Sequence, residues 1–215
     1  MAKKFYLIVS SLFVFFNICV MGTSCNSIHK NNPNIMANNK ETVSIDSFAK
    51  ITEFNPDTLI NNALALQNRI SSERFFPGIT SKQLMYLGGE SPAIIFSSMN
   101  DKEYLIAFQY EGGTENEFSC FEIGYSNLIE ENNHKFSTNY KSFELESGLK
   151  LGLSVEELIK IKGNDFVKEN GRIIYRLDDY KNSSFLKKYN MPVYFLECSL
   201  ENNRIVKIKF GFEYP

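Results

Sequence analysis

Few residues of this chain could carry chemistry, and they do not group into a reactive set. The candidates are two histidines, His29 and His134, and four cysteines, Cys19, Cys25, Cys120 and Cys198. Nucleophilic catalysis needs a serine or cysteine beside a base, and a metal site needs three or more grouped ligands. His29 lies in an asparagine-rich stretch and His134 in the polar segment EENNHKF. We therefore predict no catalytic residue, no metal site and no cofactor, and we expect that the chain is not an enzyme.

The alternative is an unrecognised envelope hydrolase that acts on wall or glycan material. It would need a cleft in which two acids, or a cysteine and His134, converge. Three pairs of adjacent acids are present, Glu130-Glu131, Glu156-Glu157 and Asp178-Asp179. Adjacent carboxylates point to opposite faces of a strand and diverge by about 100° on a helix. We therefore expect these acids to be solvated surface groups.

The composition is that of a globular body with little net charge. Of the 215 residues, 43% are hydrophobic and 14% aromatic, which is too apolar for a disordered chain. The formal net charge is -2, and removal of residues 1–24 with their two lysines would make it -4. Nucleic-acid binding needs a clustered basic surface, so we expect no nucleic-acid partner.

The N-terminus has the three parts of a secretory signal. Lys3 and Lys4 precede an apolar run over residues 5–21, and small residues at 22–24 lead to Cys25. The small residues before Cys25 resemble a bacterial lipobox, in which the cysteine is lipidated and becomes the new N-terminus. The resemblance implies a lipoprotein signal over residues 1–24, lipidation of Cys25 and a membrane anchor in the cell envelope, on the periplasmic or outer-membrane side. The alternatives are an ordinary thiol after a plain cleavable signal and an uncleaved anchor.

Behind Cys25, the sequence predicts a tether and then three helices. Residues 26–42 contain six asparagines and little apolar periodicity, so we assign residues 25–42 to the lipidated cysteine and its tether. Asn55 and Pro56 are typical of a helix start, and an apolar stripe predicts an additional N-terminal helix over residues 56–71.

The other two predicted helices begin with the same capping signal. Thr80 with Gln83, and Ser154 with Glu157, have the spacing of a capping box, in which two side chains satisfy backbone N–H groups reciprocally. Glycines at 88–89 and at 163 then predict the two helix ends. The two segments align without gaps at an offset of 74 residues.

Alternating apolar residues predict antiparallel strands after each of these two helices. The predicted strands cover residues 103–110, 117–125, 171–177, 193–200 and 204–214. We therefore predict an α+β fold made of two tandem units, each a short helix with a small antiparallel sheet. The first unit spans residues 43–135 and the second spans residues 136–215.

The second unit resembles known envelope families. The residues that carry the resemblance are Leu151-Gly152-Leu153-Ser154, then Glu157, Leu158 and Gly163. This segment is similar to the opening "LGMSxEEVxxxxG" of the BamE/SmpA outer-membrane assembly lipoproteins and the beta-lactamase inhibitor protein-like (BLIP-like) domains. The C-terminal stretch resembles the closing strands of uncharacterised Bacteroidetes-type lipoproteins. The resemblance implies a helix packed on an antiparallel sheet, two tandem units, no catalytic residues and a sheet face or loop presented to another protein.

Cys120 and Cys198 lie in predicted strands that would correspond between the two units. An oxidising envelope permits a disulfide between them. The alternative is that both are buried thiols that act as small hydrophobic residues.

An aromatic insert over residues 178–195 interrupts the second unit between two strands. Its candidate partner contacts are Tyr180, Phe185, Tyr189 and Met191, because insertions between strands often carry binding function. The alternative is an arm that packs these side chains on its own sheet. The function we predict is a non-enzymatic envelope lipoprotein that binds another envelope protein as scaffold or inhibitor.

Overall fold

The computed structural model describes residues 54–78, 80–87, 91–110, 113–130 and 133–213. Cys25, the signal and the tether lie outside these residues. The described part has the predicted α+β character, with a large, mostly antiparallel sheet and few helices. The three helices are α1 (Arg69–Phe75), α2 (Val155–Lys162) and α3 (Ser184–Tyr189), and 3-10 turns lie at Ser81–Gln83 and Ser126–Leu128.

Strands account for most of the regular structure. They are β1 (Leu59–Ile60), β2 (Leu64–Ala65), β3 (Met85–Leu87), β4 (Ser91–Ser97), β5 (Glu103–Gln109), β6 (Phe118–Tyr125), β7 (Phe136–Ser137), β8 (Val167–Glu169), β9 (Arg172–Leu177), β10 (Tyr194–Glu201) and β11 (Arg204–Phe212). Among the described residues, β1 and β2 form a small hairpin and the others form one sheet of nine strands. Its order is β3-β4-β5-β6-β11-β10-β9-β8, with β7 added in parallel beside β4.

One face of this sheet is buried under the rest of the protein. Residues paired across antiparallel strands share a face, so the register defines rows that cross the whole sheet. Two such rows are apolar from β4 to β9: Ile94, Ala107, Phe121, Phe210, Leu196 and Tyr175, and then Phe96, Leu105, Ile123, Ile208, Cys198 and Ile173. All of them belong to the main core, to which α2 adds Leu158, α3 adds Leu186 and the β1–β2 hairpin adds Ile60 and Leu64. We call this side the covered face.

Helix α2 forms as predicted, and its capping box is complete. The Ser154 hydroxyl accepts from the Glu157 N–H at 3.2 Å, and the Glu157 carboxylate accepts from the Ser154 N–H at 2.8 Å. Glu156 and Glu157 occupy the first turn and Lys160 and Lys162 the last, which suits the helix dipole. Gly163 ends the helix with a positive φ of 84°.

The predicted helix over residues 56–71 is wrong. Asn61 and Asn62 both have positive φ, at 51° and 52°, and turn the chain so that β1 pairs with β2. The Asn61 side chain also bonds to the backbone of Ser142 and Glu144 on a distant segment. Two adjacent asparagines between apolar pairs are a hairpin signal, and it prevails over the helical stripe. A helix begins only at Arg69, with Asn68 as its cap.

The predicted helix that begins at Thr80 is wrong too. The Gln83 side chain does accept from the Thr80 N–H at 2.8 Å, but the structure continues only as a single 3-10 turn. Met85–Leu87 then pairs with β4, and its middle residue, Tyr86, is exposed. The apolar run fits a strand as well as a helix, and the ladder to β4 decides the outcome. Ile79 and Gly88–Gly89, which the prediction also used, lie outside the described residues.

Candidate functional site: the second face of the sheet

The second face of the sheet carries a mixed apolar and charged surface. Its three rows alternate with those of the covered face. They are Ala93, Phe108, Cys120, Gly211, Phe195 and Arg176; Ile95, Ile106, Glu122, Lys209, Glu197 and Ile174; and Ser97, Tyr104, Gly124, Lys207, Ser199 and Arg172. On β4 and β5 these residues form a small buried cluster around Ala93, Ile95, Tyr104 and Ile106. On β6, β11, β10 and β9, which follow in that order across the sheet, most of these side chains are partly exposed and many are charged.

The charges of the second face form an ordered network. Arg172 lies 3.2 Å from Glu197, and Lys207 lies 3.8 Å from Glu122. The Tyr104 hydroxyl donates to Glu122 at 2.8 Å, and its ring lies over Gly124, where a Cβ would approach the ring to 2.6 Å. These pairs place charged groups of both signs on a half-exposed surface.

A groove lies where the apolar and charged parts of this face meet. It has a volume of about 500 Å³. It is lined by Leu87, Ser91, Ile106, Phe108, Tyr110, Cys120, Glu122, Phe195, Lys209, Phe212 and Glu213. Its size and mixed lining are typical of sites that bind an apolar group and orient it with a few polar ones.

A buried polar centre lies beside the covered face. Lys162 Nζ lies 2.6 Å from Asp57 Oδ2, and both side chains are 1% exposed. Ser147 donates to the same carboxylate through its N–H and its hydroxyl, at 3.1 and 3.0 Å. The Tyr194 hydroxyl donates to the Asp57 carbonyl and accepts from the Asp57 N–H. We call these four residues the buried latch, although Ser147 itself lies at the surface.

The latch residues satisfy one another, which points to structure and not to reactivity. Burial raises the pKa of the Asp57 carboxyl, and the charge of Lys162 and the bonds from Lys162 and Ser147 oppose that rise. Lys162 also donates to the Asn55 carbonyl at 2.8 Å. A buried charge is tolerated when it is paired and hydrogen-bonded in this way. The latch is not among the sites predicted from the sequence, although Lys162 falls four residues after the core residue Leu158, on the same side of α2.

The two cysteines cannot form the disulfide considered from the sequence. Cys120 lies on β6 and faces the groove, whereas Cys198 lies on β10 and faces the main core, with β11 between the two strands. Both are free thiols. Burial raises the pKa of Cys120 to about 12 and also raises the pKa of Cys198, which favours the neutral thiol at both positions. The sequence prediction treats the two strands that carry these cysteines, β6 and β10, as equivalent. In the sheet the counterpart of β6 is β11, because β6 and β11 are the two central strands and pair with each other.

The aromatic insert packs largely on its own domain. Phe185 lies 5.3 Å from Tyr194 and Tyr189 lies 5.0 Å from Phe212, measured between ring centroids. Met191 is also partly buried against the main core. Tyr180 differs, because it is 39% exposed and its hydroxyl bonds only to Asn190 among the contacts described for it. Contact with a partner stays a prediction, and of these four side chains Tyr180 is the most accessible.

The residues considered for catalysis do not converge in the part of the chain that the structure describes. His134 is exposed and its ring lies edge-on to Phe136 at 4.7 Å. Glu157 is used in the capping box, and Asp178 pairs with Arg176. No group of three or more potential metal ligands occurs among the described residues. Within the same residues, no helix has the length and apolar character needed to cross a membrane.

Comparison with known proteins adds no relative: no family model, no curated protein and no solved structure matches this chain.

Proposed function

We propose that the protein is a non-enzymatic envelope lipoprotein that binds another envelope protein through the second face of its sheet, as scaffold or inhibitor. The observation that carries the proposal is the contrast between the two faces. The covered face is apolar and buried. The part of the second face formed by β6, β11, β10 and β9 holds paired charges beside an apolar groove. Apolar centres with polar surroundings are typical of protein interfaces.

A tandem arrangement of two units fits the order of the elements. The 3-10 turn at Ser81–Gln83 precedes the four antiparallel strands β3 to β6, and α2 precedes the four antiparallel strands β8 to β11. The two sets meet through their last strands, β6 and β11, with Phe121 opposite Phe210. This order supports the proposed relationship to the BamE/SmpA and BLIP-like families, in a form in which a 3-10 turn precedes the first set of strands where α2 precedes the second.

The membrane anchor is the second part of the proposal, and it rests on the small residues before Cys25. Mass spectrometry of the mature N-terminus tests it. We expect a lipid-modified Cys25 as the first residue and recovery of the protein with membranes. An unmodified Cys25, or a terminus elsewhere, would contradict the anchor without bearing on the binding face.

Photo-crosslinking in living cells tests the binding face. A photoreactive amino acid at Ser199, which lies half-exposed on the second face, should form a discrete adduct with another envelope protein. The matched control is the same amino acid at Lys160, which is exposed on α2 and away from the second face. Adducts at Lys160 and none at Ser199 would show that the partner uses a different surface.

A further inference from the structure

The groove on the second face presents one cation that has no carboxylate within ion-pair distance among the described residues. Lys209 Nζ lies 4.9 Å from the centre of the Phe108 ring, at the wall of the groove. The other three basic side chains of these rows are paired: Arg172 with Glu197, Lys207 with Glu122, and Arg176 with Glu213.

Lys209 lies between two acidic residues in the sheet, yet its ammonium group lies over an aromatic ring. Its cross-strand neighbours on the same row are Glu122 on β6 and Glu197 on β10, so carboxylates are available on both sides. The ammonium nevertheless lies over Phe108, beside the apolar floor of the groove. A cation over an aromatic ring is weakly stabilised and keeps its remaining donors for an incoming group.

The shape of the groove follows from the row that contains Gly211. Gly211 lies between Cys120 on β6 and Phe195 on β10 and places no side chain on the sheet there. A Cβ at Gly211 would collide with the backbone of Ser119 and Cys120, so the depression is fixed by close strand packing. Phe108 and Phe195 rise on either side of it.

We propose that this groove receives a bulky apolar side chain of the partner protein and that Lys209 binds an aspartate or glutamate next to that side chain. The inference deepens the proposed function and rests on it. The apolar walls favour burial of an aliphatic or aromatic anchor, and the ammonium over Phe108 favours a carboxylate at the rim. The recognised feature is thus a short segment with an apolar residue flanked by an acid.

A random peptide display library, panned against the purified full chain in detergent, tests this chemistry. Peptides that bind the wild-type protein should be enriched in an aromatic or large aliphatic residue with Asp or Glu within two positions. Lys209→Gln should remove the acidic preference and weaken a selected peptide on the order of tenfold. Lys209→Glu should replace the acid with Lys or Arg among the selected peptides.

Two controls keep the result interpretable. Lys207→Gln removes a cation of the same face that is already paired with Glu122, and it should leave the acidic preference intact. The two Gln variants should have similar melting curves. Lys209→Glu places a third acid beside Glu122 and Glu197 and should melt at a lower temperature, so the Gln variants carry the comparison. The selected peptides should also bind the Phe195→Arg variant weakly, because the new side chain fills the groove and adds a charge there.

Two results would overturn the inference and leave the proposed binding face in place. In the first, peptides bind the groove but show no preference for an acid. In the second, the preference for an acid persists in Lys209→Gln. A library that yields no peptide sensitive to Phe195→Arg would overturn it as well. The crosslinking experiment at Ser199 decides the proposed function separately, because it depends on no assumption about the charge of the partner.

Discussion

The two faces of the sheet are made by the same strands, yet they treat charge in opposite ways. Beside the covered face the charges of Asp57 and Lys162 are paired at 2.6 Å and supported by Ser147 and Tyr194. On the second face, pairs such as Arg172–Glu197 are partly exposed, with side chains 39% and 20% accessible. Burial makes a missing partner costly, whereas exposure leaves a charge free to exchange partners. We therefore expect changes beside the covered face to lower stability and changes on the second face to alter binding.

The largest expected effect is loss of the buried latch. Asp57→Ala would leave the ammonium of Lys162 buried without its carboxylate, so the free energy of unfolding should fall by about 3–5 kcal/mol. Urea denaturation measures this. Asp165→Ala, at an exposed acid that follows α2, is the control and should change stability by less than about 0.5 kcal/mol. A similarly small loss for Asp57→Ala would mean that water reaches the pair.

Gly124→Ala tests whether any part of the second face is as tightly packed as the covered face. The new methyl group would meet the Tyr104 ring and displace the side chain that bonds to Glu122, so we expect a loss of about 1–3 kcal/mol. Ser199→Ala, on the same row but half-exposed, should have little effect. Equal melting temperatures for the two variants would show that Tyr104 moves aside without cost.

Ser154→Ala removes half of the capping box of α2, which packs on the covered face. We expect a loss of about 1 kcal/mol, because the Glu157 N–H would lose its acceptor. Crosslinking from Ser199 to the partner should be unchanged once the protein is folded. Reduced crosslinking at an unchanged melting temperature would place the start of α2 in the interface and break the division between the two faces.

The smallest expected change in stability is that of Tyr180→Ala, because this ring is exposed. The free energy of unfolding should change by less than about 0.5 kcal/mol. If the insert extends the binding surface, the yield of the Ser199 crosslink should fall. Tyr189→Ala is the matched comparison, since its ring packs on Phe212 and its loss should lower the melting temperature. An unchanged crosslink in Tyr180→Ala would restrict the interface to the sheet.

Local chemistry was enough to predict most of the second half of the fold, without β8 and α3, but less of the first. The alternation in 171–177, 193–200 and 204–214 and the box at Ser154 predicted β9, β10, β11 and α2. Strand β4 was missed, because its run of apolar residues does not alternate: five consecutive residues from Ala93 to Ser97 are buried. Such a run indicates a strand buried on both faces as well as a helix segment.

The sites were harder to predict than the elements, because they depend on contacts between distant residues. Asp57 falls at the start of the helix predicted over residues 56–71, and nothing near it in the sequence indicates that Lys162 or Ser147 would reach it. Likewise, the alternation of β11 places Lys207 and Lys209 on one face but does not show that only Lys209 turns toward Phe108. Strand register sets the neighbours of Lys209, and the packing of α2 and the Ser147 segment against Asp57 forms the latch. The printed sequence contains neither directly.

The buried latch also determines where mechanical load would enter the body. Phe54 stacks on Tyr175 at 5.0 Å, Asn55 accepts from Lys162, and Asp57 bonds to Lys162, Ser147 and Tyr194. If Cys25 holds the chain to a membrane, this short segment is the first of the described residues that a pull on the tether would reach. The force would then be shared at once among α2, β9, β10 and the segment around Ser147, instead of peeling a single edge strand from the sheet. A partner held on the second face would therefore be held by a body whose attachment point is among its most firmly bonded segments.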